Sequence, residues 1–138
     1  MLKRYGVKYG QCVMSRNMPN SPLVSVIIPC FNGGSTIGKT VKSVQDQTYA
    51  NIETVVVNDG STDNLTSKKI NSFVNVKVIN QENKGLPCAR NIGAKAASGS
   101  YLLFLDADDW LETDAVFKMV AALERANAPS FVCPTLIL

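Results

Sequence analysis

Ile52-Glu-Thr-Val-Val-Val-Asn-Asp-Gly-Ser-Thr-Asp63 is the stretch that decides the fold class. Val55–Val57 is a β-branched run with no polar alternation, the pattern of a strand covered on both faces. The run ends abruptly in polar residues. Gly60 suits a tight turn, and Asp63 can cap a following helix. The spacing predicts a strand over Ile52–Asn58 and a short helix to about Ser72. Asp59 is left at the strand tip with no structural task in that turn. Its carboxylate could accept hydrogen bonds from a base N–H or from ribose hydroxyls.

The same grammar recurs on both sides. Val24–Cys30 reads as a buried strand, followed by a helix capped by Ser35 or Thr36 and running to about Asp46. Ile37, Val41 and Val44 fall on one face of it. Val76–Asn80 is a third strand, and Pro87 opens a helix to about Ala97 with Ala89, Ile92, Gly93 and Ala96 on one face. Tyr101–Leu105 is a fourth strand. Thr113 caps a helix to about Asn127 that buries Val116, Met119, Val120 and Leu123, and Phe131–Thr135 begins a fifth strand. Strands alternating with helices of this length predict an α/β fold, a mainly parallel sheet with helices on both faces. Ligands in such sheets bind beyond the C-terminal strand ends. The polar clusters gather there: Asn32, Asn58–Asp63, Asn80–Lys84 and Asp106–Asp109.

The chain has 138 residues, 46% hydrophobic and 18% charged, which suits one domain with a buried core. The net charge of +3 is too small to argue for nucleic acid. Lys3, Arg4, Lys8 and Arg16 make residues 1–22 a basic arm without an acid, and 23–138 is the folded unit. No apolar run reaches the roughly 18 residues of a membrane span. No apolar stretch follows the first basic residues, so a secretory signal is not expected. Cys12, Cys30, Cys88 and Cys133 form no CxxC pair and read as reduced, core-type cysteines. These features predict a cytoplasmic protein, with contact at a membrane surface left open for the arm. The absence of histidine excludes His-based triads and His-ligated metals.

Asp106, Asp108 and Asp109 stand within four residues after the fourth strand. Carboxylates this close repel one another unless a cation offsets their charge. Mg²⁺ or Mn²⁺ often combines one or two carboxylates with substrate phosphates. Lys84 and Arg90 put positive charge near the same strand ends, suited to an anion such as a diphosphate. Gly33–Thr40 also satisfies the G-x-x-x-x-G-K-[ST] phosphate loop, which makes a P-loop nucleotide triphosphatase a rival reading. Against it, Ile37 fits the buried stripe with Val41 and Val44, which starts the helix before Gly38.

Val24-Ser-Val-Ile-Ile-Pro-Cys-Phe-Asn32, Ser43–Tyr49, Glu53–Asp63, Asn83–Gly93 and Tyr101–Trp110 together resemble, in order, family 2 glycosyltransferases of the GT-A fold. The resemblance covers about residues 23–135. It implies a nucleotide-diphosphate-sugar donor, a UDP-sugar first among them, a divalent cation (Mn²⁺ or Mg²⁺) and a carbohydrate or lipid-linked acceptor. By position, Pro29 and Phe31 would line the base pocket with Asn32 at its edge. Asp59 would hold the base or ribose, and Lys84 and Arg90 would lie near the nucleotide. Asp106 and Asp108 would be the family's D-x-D, with Asp106 nearer the ribose and Asp108 on the metal. Members usually continue through an acceptor site, so the catalytic base is expected beyond Leu138, and the chain reads as a donor-binding half. A non-catalytic nucleotide-sugar-binding remnant is the alternative of a different class.

Overall fold

A computed structural model describes residues 21–126, together with the backbone of two short strands in the arm. Those two, β1 (Val7–Lys8) and β2 (Gln11–Cys12), pair antiparallel. The expected fifth strand at Phe131–Thr135 lies outside the described residues. The main sheet contains β3 (Val24–Cys30), β4 (Ile52–Asp59), β5 (Lys77–Gln81) and β6 (Tyr101–Phe104), all parallel, in the order β5-β4-β3-β6. Between and after them run α1 (Ile37–Gln45), α2 (Asn64–Asn71), α3 (Leu86–Ala96) and α4 (Ala115–Ala126).

Parity in the central strands sorts the core into two layers. Val26, Ile28 and Val56 face α1, α2 and α4, against Ile37, Val41, Val44, Ile70 and Val116. Ile27, Val55 and Val57 face the other way, against Ala89 of α3. Every residue of β3 is buried, as expected of a strand with a neighbour on each side and helices above and below. The α/β class and the two covered faces are as the hydrophobic pattern predicts. No described helix is long and apolar enough to cross a membrane.

Boundaries shift where ladder hydrogen bonds outlast the apolar run. β4 extends through Asp59, and β5 covers Lys77–Gln81 rather than 76–80, because the pairing continues to an Asp59↔Gln81 rung. Thr36 occupies the N-cap of α1 without a side-chain cap; its hydroxyl donates instead to the Gly33 carbonyl. Asp63 caps α2 through Thr66 N–H, as its position suggests. Thr113 does not cap α4. Its carbonyl accepts from Thr48 N–H, and Val116 N–H near the helix start donates to Gln47 Oε1 at 3.0 Å. The cap is therefore supplied from 69 residues away.

Two close contacts set the α3 side. A methyl group on Gly93 would lie 2.4 Å from Ile27 Cγ2 and 3.1 Å from Val57 Cγ2, so α3 rests directly on β3 and β4. Below it, Ser25 Oγ donates to Glu53 Oε2 at 2.5 Å and accepts from Gly99 N–H at 2.8 Å. Ser98 N–H also donates to Glu53, at 2.8 Å. Partial burial pushes the Glu53 carboxyl up, but the hydroxyls of Ser25 and Ser98, the Ser98 N–H and nearby Lys77 outweigh it and hold it below its ordinary value.

Two outcomes follow from these contacts. Gly93→Ala should cost about 1–2 kcal/mol in urea unfolding, although helix propensity alone favours alanine by about 1 kcal/mol; a stabilised variant would show that α3 has room to spare. Glu53 is depressed in the folded state, so its contribution is complete above its unfolded pKa and fades as pH falls through the folded one. The stability gap between wild type and Glu53→Gln should therefore narrow on acidification below the ordinary carboxylate range, and a constant gap would refute the clip.

Candidate functional site

The topology itself points to one place. From β3 the chain moves outward through β4 to β5, then returns to β6 on the opposite side of β3. The strand order thus reverses between β3 and β6, and in α/β sheets ligands bind outside the C-terminal strand ends at such a switch point. A cleft of about 410 Å³ lies there, with Pro29, Phe31 and Asn32 on one wall and Asp106 and Asp108 on the other. Leu86, from the first turn of α3, also lines it. A larger hollow of about 630 Å³ sits at the opposite end of the sheet, between the end of α1 and the start of β4. Its carboxylate, Asp46, is already paired with Lys42 at 2.9 Å, and its Tyr49 hydroxyl donates to the Pro22 carbonyl, so that hollow offers little chemistry.

The β3 wall is built by Asn32. Its φ of 51° lies in the left-handed region, which asparagine tolerates better than most residues. The turn after β4 holds it there. Asn32 Oδ1 accepts from Thr62 N–H at 2.9 Å and Asp63 N–H at 3.3 Å, and Asn32 N–H donates to Ser61 Oγ at 3.0 Å. This reversal leaves Phe31 half exposed over the cleft, as is Leu86. Apolar side chains left in water beside carboxylates suit the flat face of a nucleobase.

The opposite wall is fixed to α1. Thr40 Oγ1 donates to the Ala107 carbonyl at 2.8 Å, and Leu111 N–H donates to Ser43 Oγ at 3.0 Å. Lys39 Nζ lies 3.3 Å from the centroid of the Trp110 ring. These contacts overturn the P-loop reading of Gly33–Thr40. The helix begins at Ile37, and Lys39 and Thr40 are engaged with the Ala107–Trp110 segment instead of facing a phosphate cradle. Arg90 reaches across from α3 and donates to Asp106 Oδ1 at 2.7 Å. Asp108 is exposed and has no hydrogen-bond partner among the described residues.

Asp59 does have a structural task, contrary to the sequence expectation. It is 4% exposed. Oδ1 accepts from Gln81 Nε2 at 2.6 Å and Lys84 N–H at 2.9 Å, and Oδ2 accepts from Gly85 N–H at 2.9 Å. Burial pushes its carboxyl up; the Lys84 N–H, the Gln81 amide and the Gly85 N–H together outweigh burial and hold it below the ordinary value. The turn reading missed this because the three donors come from the last residue of β5 and from the β5–α3 loop, brought alongside only by the β4–β5 register. Asp59, Lys84 and Arg90 do not line the cleft wall; Arg90 meets it through Asp106. Gln81, inside the Asn80–Lys84 polar cluster, and Leu86, inside the Asn83–Gly93 segment, carried no individual role in the sequence. A glutamine directly before Glu82-Asn83-Lys84 was the available signal. Of the cysteines, Cys30 is buried and Cys88 partly buried, both unbridged, and burial pushes the Cys30 thiol up.

The donor set fits one manner of metal binding. Among the described residues no three Asp, Glu or Cys side chains converge on a point, so these residues build no closed cage. Asp108, with its carboxylate open, beside Asp106 offers the one or two carboxylates that Mg²⁺ or Mn²⁺ uses when phosphates complete the shell.

Known proteins are similar to this chain in sequence and in fold. GlyA, a glycosyltransferase of Streptococcus pneumoniae, is 44% identical over 96 residues, 67% of this chain and 14% of GlyA. The putative glycosyltransferase EpsH of Bacillus subtilis is 38% identical over 72% of this chain and 30% of EpsH. Residues 1–349 of Staphylococcus aureus TarS, solved in complex with UDP, superpose with a TM-score of 0.67 at 32% identity, over 76% of this chain and 33% of that one. The chain thus spans a third or less of the length of these relatives. Residues 25–136 match Glycosyl transferase family 2, and a match over that much of a chain with this sheet order and these relatives makes it a member of that family.

Proposed function

We propose that this chain is the donor-binding half of a glycosyltransferase and holds a nucleotide-diphosphate sugar, a UDP-sugar in the first instance, in the cleft between the β3 and β6 loops. The observation that carries the reading is the meeting of Pro29, Phe31 and Asn32 with Asp106 and Asp108 at the switch point of the sheet. Relatives support it: TarS has been solved with UDP and with UDP-GlcNAc, at 32% and 31% identity.

In this reading Pro29 and Phe31 flank the base, with Asn32 holding their loop in place. The nucleotide extends beyond the cleft to Asp59, which accepts from the base or ribose, and Asp106 lies nearer the ribose, oriented by Arg90. Lys84 and Arg90 supply positive potential toward the diphosphate. Asp108 and Asp106 would hold a divalent cation together with the diphosphate oxygens. Bound there, such a cation stabilises the charge that develops on the departing diphosphate. The sugar acceptor, carbohydrate or lipid-linked, and the base that activates it belong to parts of the enzyme outside these residues. Donor binding and sugar transfer are therefore separable properties of this chain.

Calorimetric titration with UDP tests the reading. Affinity should be higher in Mn²⁺ than in chelator, and Asp108→Asn should lose about tenfold or more in Mn²⁺ while leaving the chelator value unchanged. Equal affinity with and without the metal would remove Asp108 from the metal role. Tight ATP binding abolished by Lys39→Ala would restore the P-loop alternative.

A further inference from the structure

Asp59 has few acceptor positions left. Each carboxylate oxygen offers about two. Oδ1 uses both, on Gln81 Nε2 and Lys84 N–H, whereas Oδ2 uses one, on Gly85 N–H. Gln81 is placed by the sheet, since it is the β5 residue opposite Asp59 on the last rung. Its amide orientation is forced: an ionised carboxylate only accepts, so the NH₂ group must face it. Oε1 is then buried without a hydrogen-bond partner. Such an orphaned acceptor lowers stability, although an apolar side chain of similar size would in turn deprive the buried carboxylate of a donor. The NH₂ group meets the need of a buried carboxylate for donors, but fold stability gives no account of the orphaned Oε1.

We propose that Gln81 is a positioning residue for nucleotide recognition: by occupying Oδ1 it fixes the Asp59 carboxylate and leaves Oδ2 as the acceptor for an N–H or O–H of the donor nucleotide. The proposal rests on the nucleotide-sugar reading above. Among the described residues, Gln81 is the side chain that bonds to Asp59; the other two donors are backbone groups of the loop. Charged groups on the surrounding elements are committed elsewhere. Asp63 bonds Thr66, Lys77 Nζ donates to the Ala96 carbonyl, and Arg90 pairs with Asp106, while Glu82 and Lys84 are exposed. The response of Asp59 to pH is thus set by its burial and its three donors.

Two variants of the whole chain test this, read by UDP calorimetry in Mn²⁺ and by carboxyl ¹³C NMR titration of Asp59. Gln81→Leu should raise the Asp59 titration midpoint and weaken UDP about tenfold with the fold retained. Gln81→Glu should weaken UDP by at least about tenfold near pH 7.5, where two carboxylates face each other, and recover toward wild type near pH 5, as the new carboxyl takes up a proton and donates to Asp59 as the amide does. A purely structural residue would change stability without this recovery. An unmoved Asp59 midpoint with wild-type UDP affinity in Gln81→Leu, or no recovery of Gln81→Glu on acidification, overturns the proposal. If the wild-type chain binds neither UDP nor GDP, the nucleotide reading falls and this inference falls with it. If wild type binds and both variants match it, the inference alone falls.

Discussion

The buried carboxylate of Asp59 is the constraint on which the α3 side of the site depends. A carboxylate removed from water must find donors. It finds three, from Gln81, Lys84 and Gly85, spanning the loop between β5 and α3. Gly85 has a φ of 84°, a conformation that glycine adopts readily, and the next residue begins α3. The clamp therefore sets where the first turn of α3 starts. That start brings Leu86 to the cleft and, one turn later, Arg90 to Asp106. Gly60 reinforces the corner: its φ is 69°, and a side chain there would collide with Asn83 N.

The second wall depends on helix contacts. α1 uses successive positions along one side, Lys39, Thr40 and Ser43, to hold the segment from Ala107 to Leu111. The carboxylates of Asp106 and Asp108 thus project from a loop tied to a helix that is itself packed on β3. That anchoring holds the two carboxylates in place before any ligand arrives. The Arg90–Asp106 pair is about 40% exposed on each side, so it contributes orientation more than stability.

The resemblance to a P-loop shows how one short string can serve two physical purposes. Gly33, Gly38, Lys39 and Thr40 match the pattern, yet close packing explains Gly33 and the adjoining Gly34 here. A side chain on Gly34 would meet Thr66 N at 2.5 Å, and one on Gly33 would meet Cys30 Sγ at 2.9 Å, so small residues are required by the approach of α2 and β3. The buried stripe of Ile37, Val41 and Val44 decides the matter, since it starts the helix ahead of the lysine.

Much of this was legible in the sequence because hydrophobic burial is periodic and therefore local. The unbroken Val55–Val57 run, the one-sided stripe of α1 and the repeated strand–helix alternation were enough for a parallel sheet covered on both faces, and polar residues at strand ends marked the edge at which the cleft lies. Asp63 could be read as a cap because its partner, Thr66, is three residues away. What only the tertiary structure decided are contacts between residues far apart in the chain: Gln81 on Asp59 across 22 residues, Asn32 on Thr62 across 30, Thr40 on the Ala107 carbonyl across 67, and Gln47 on Val116 across 69. A hydrogen bond needs its partner within about 3 Å at a defined angle. Strand register and helix placement set that distance, and no residue type or local spacing carries it.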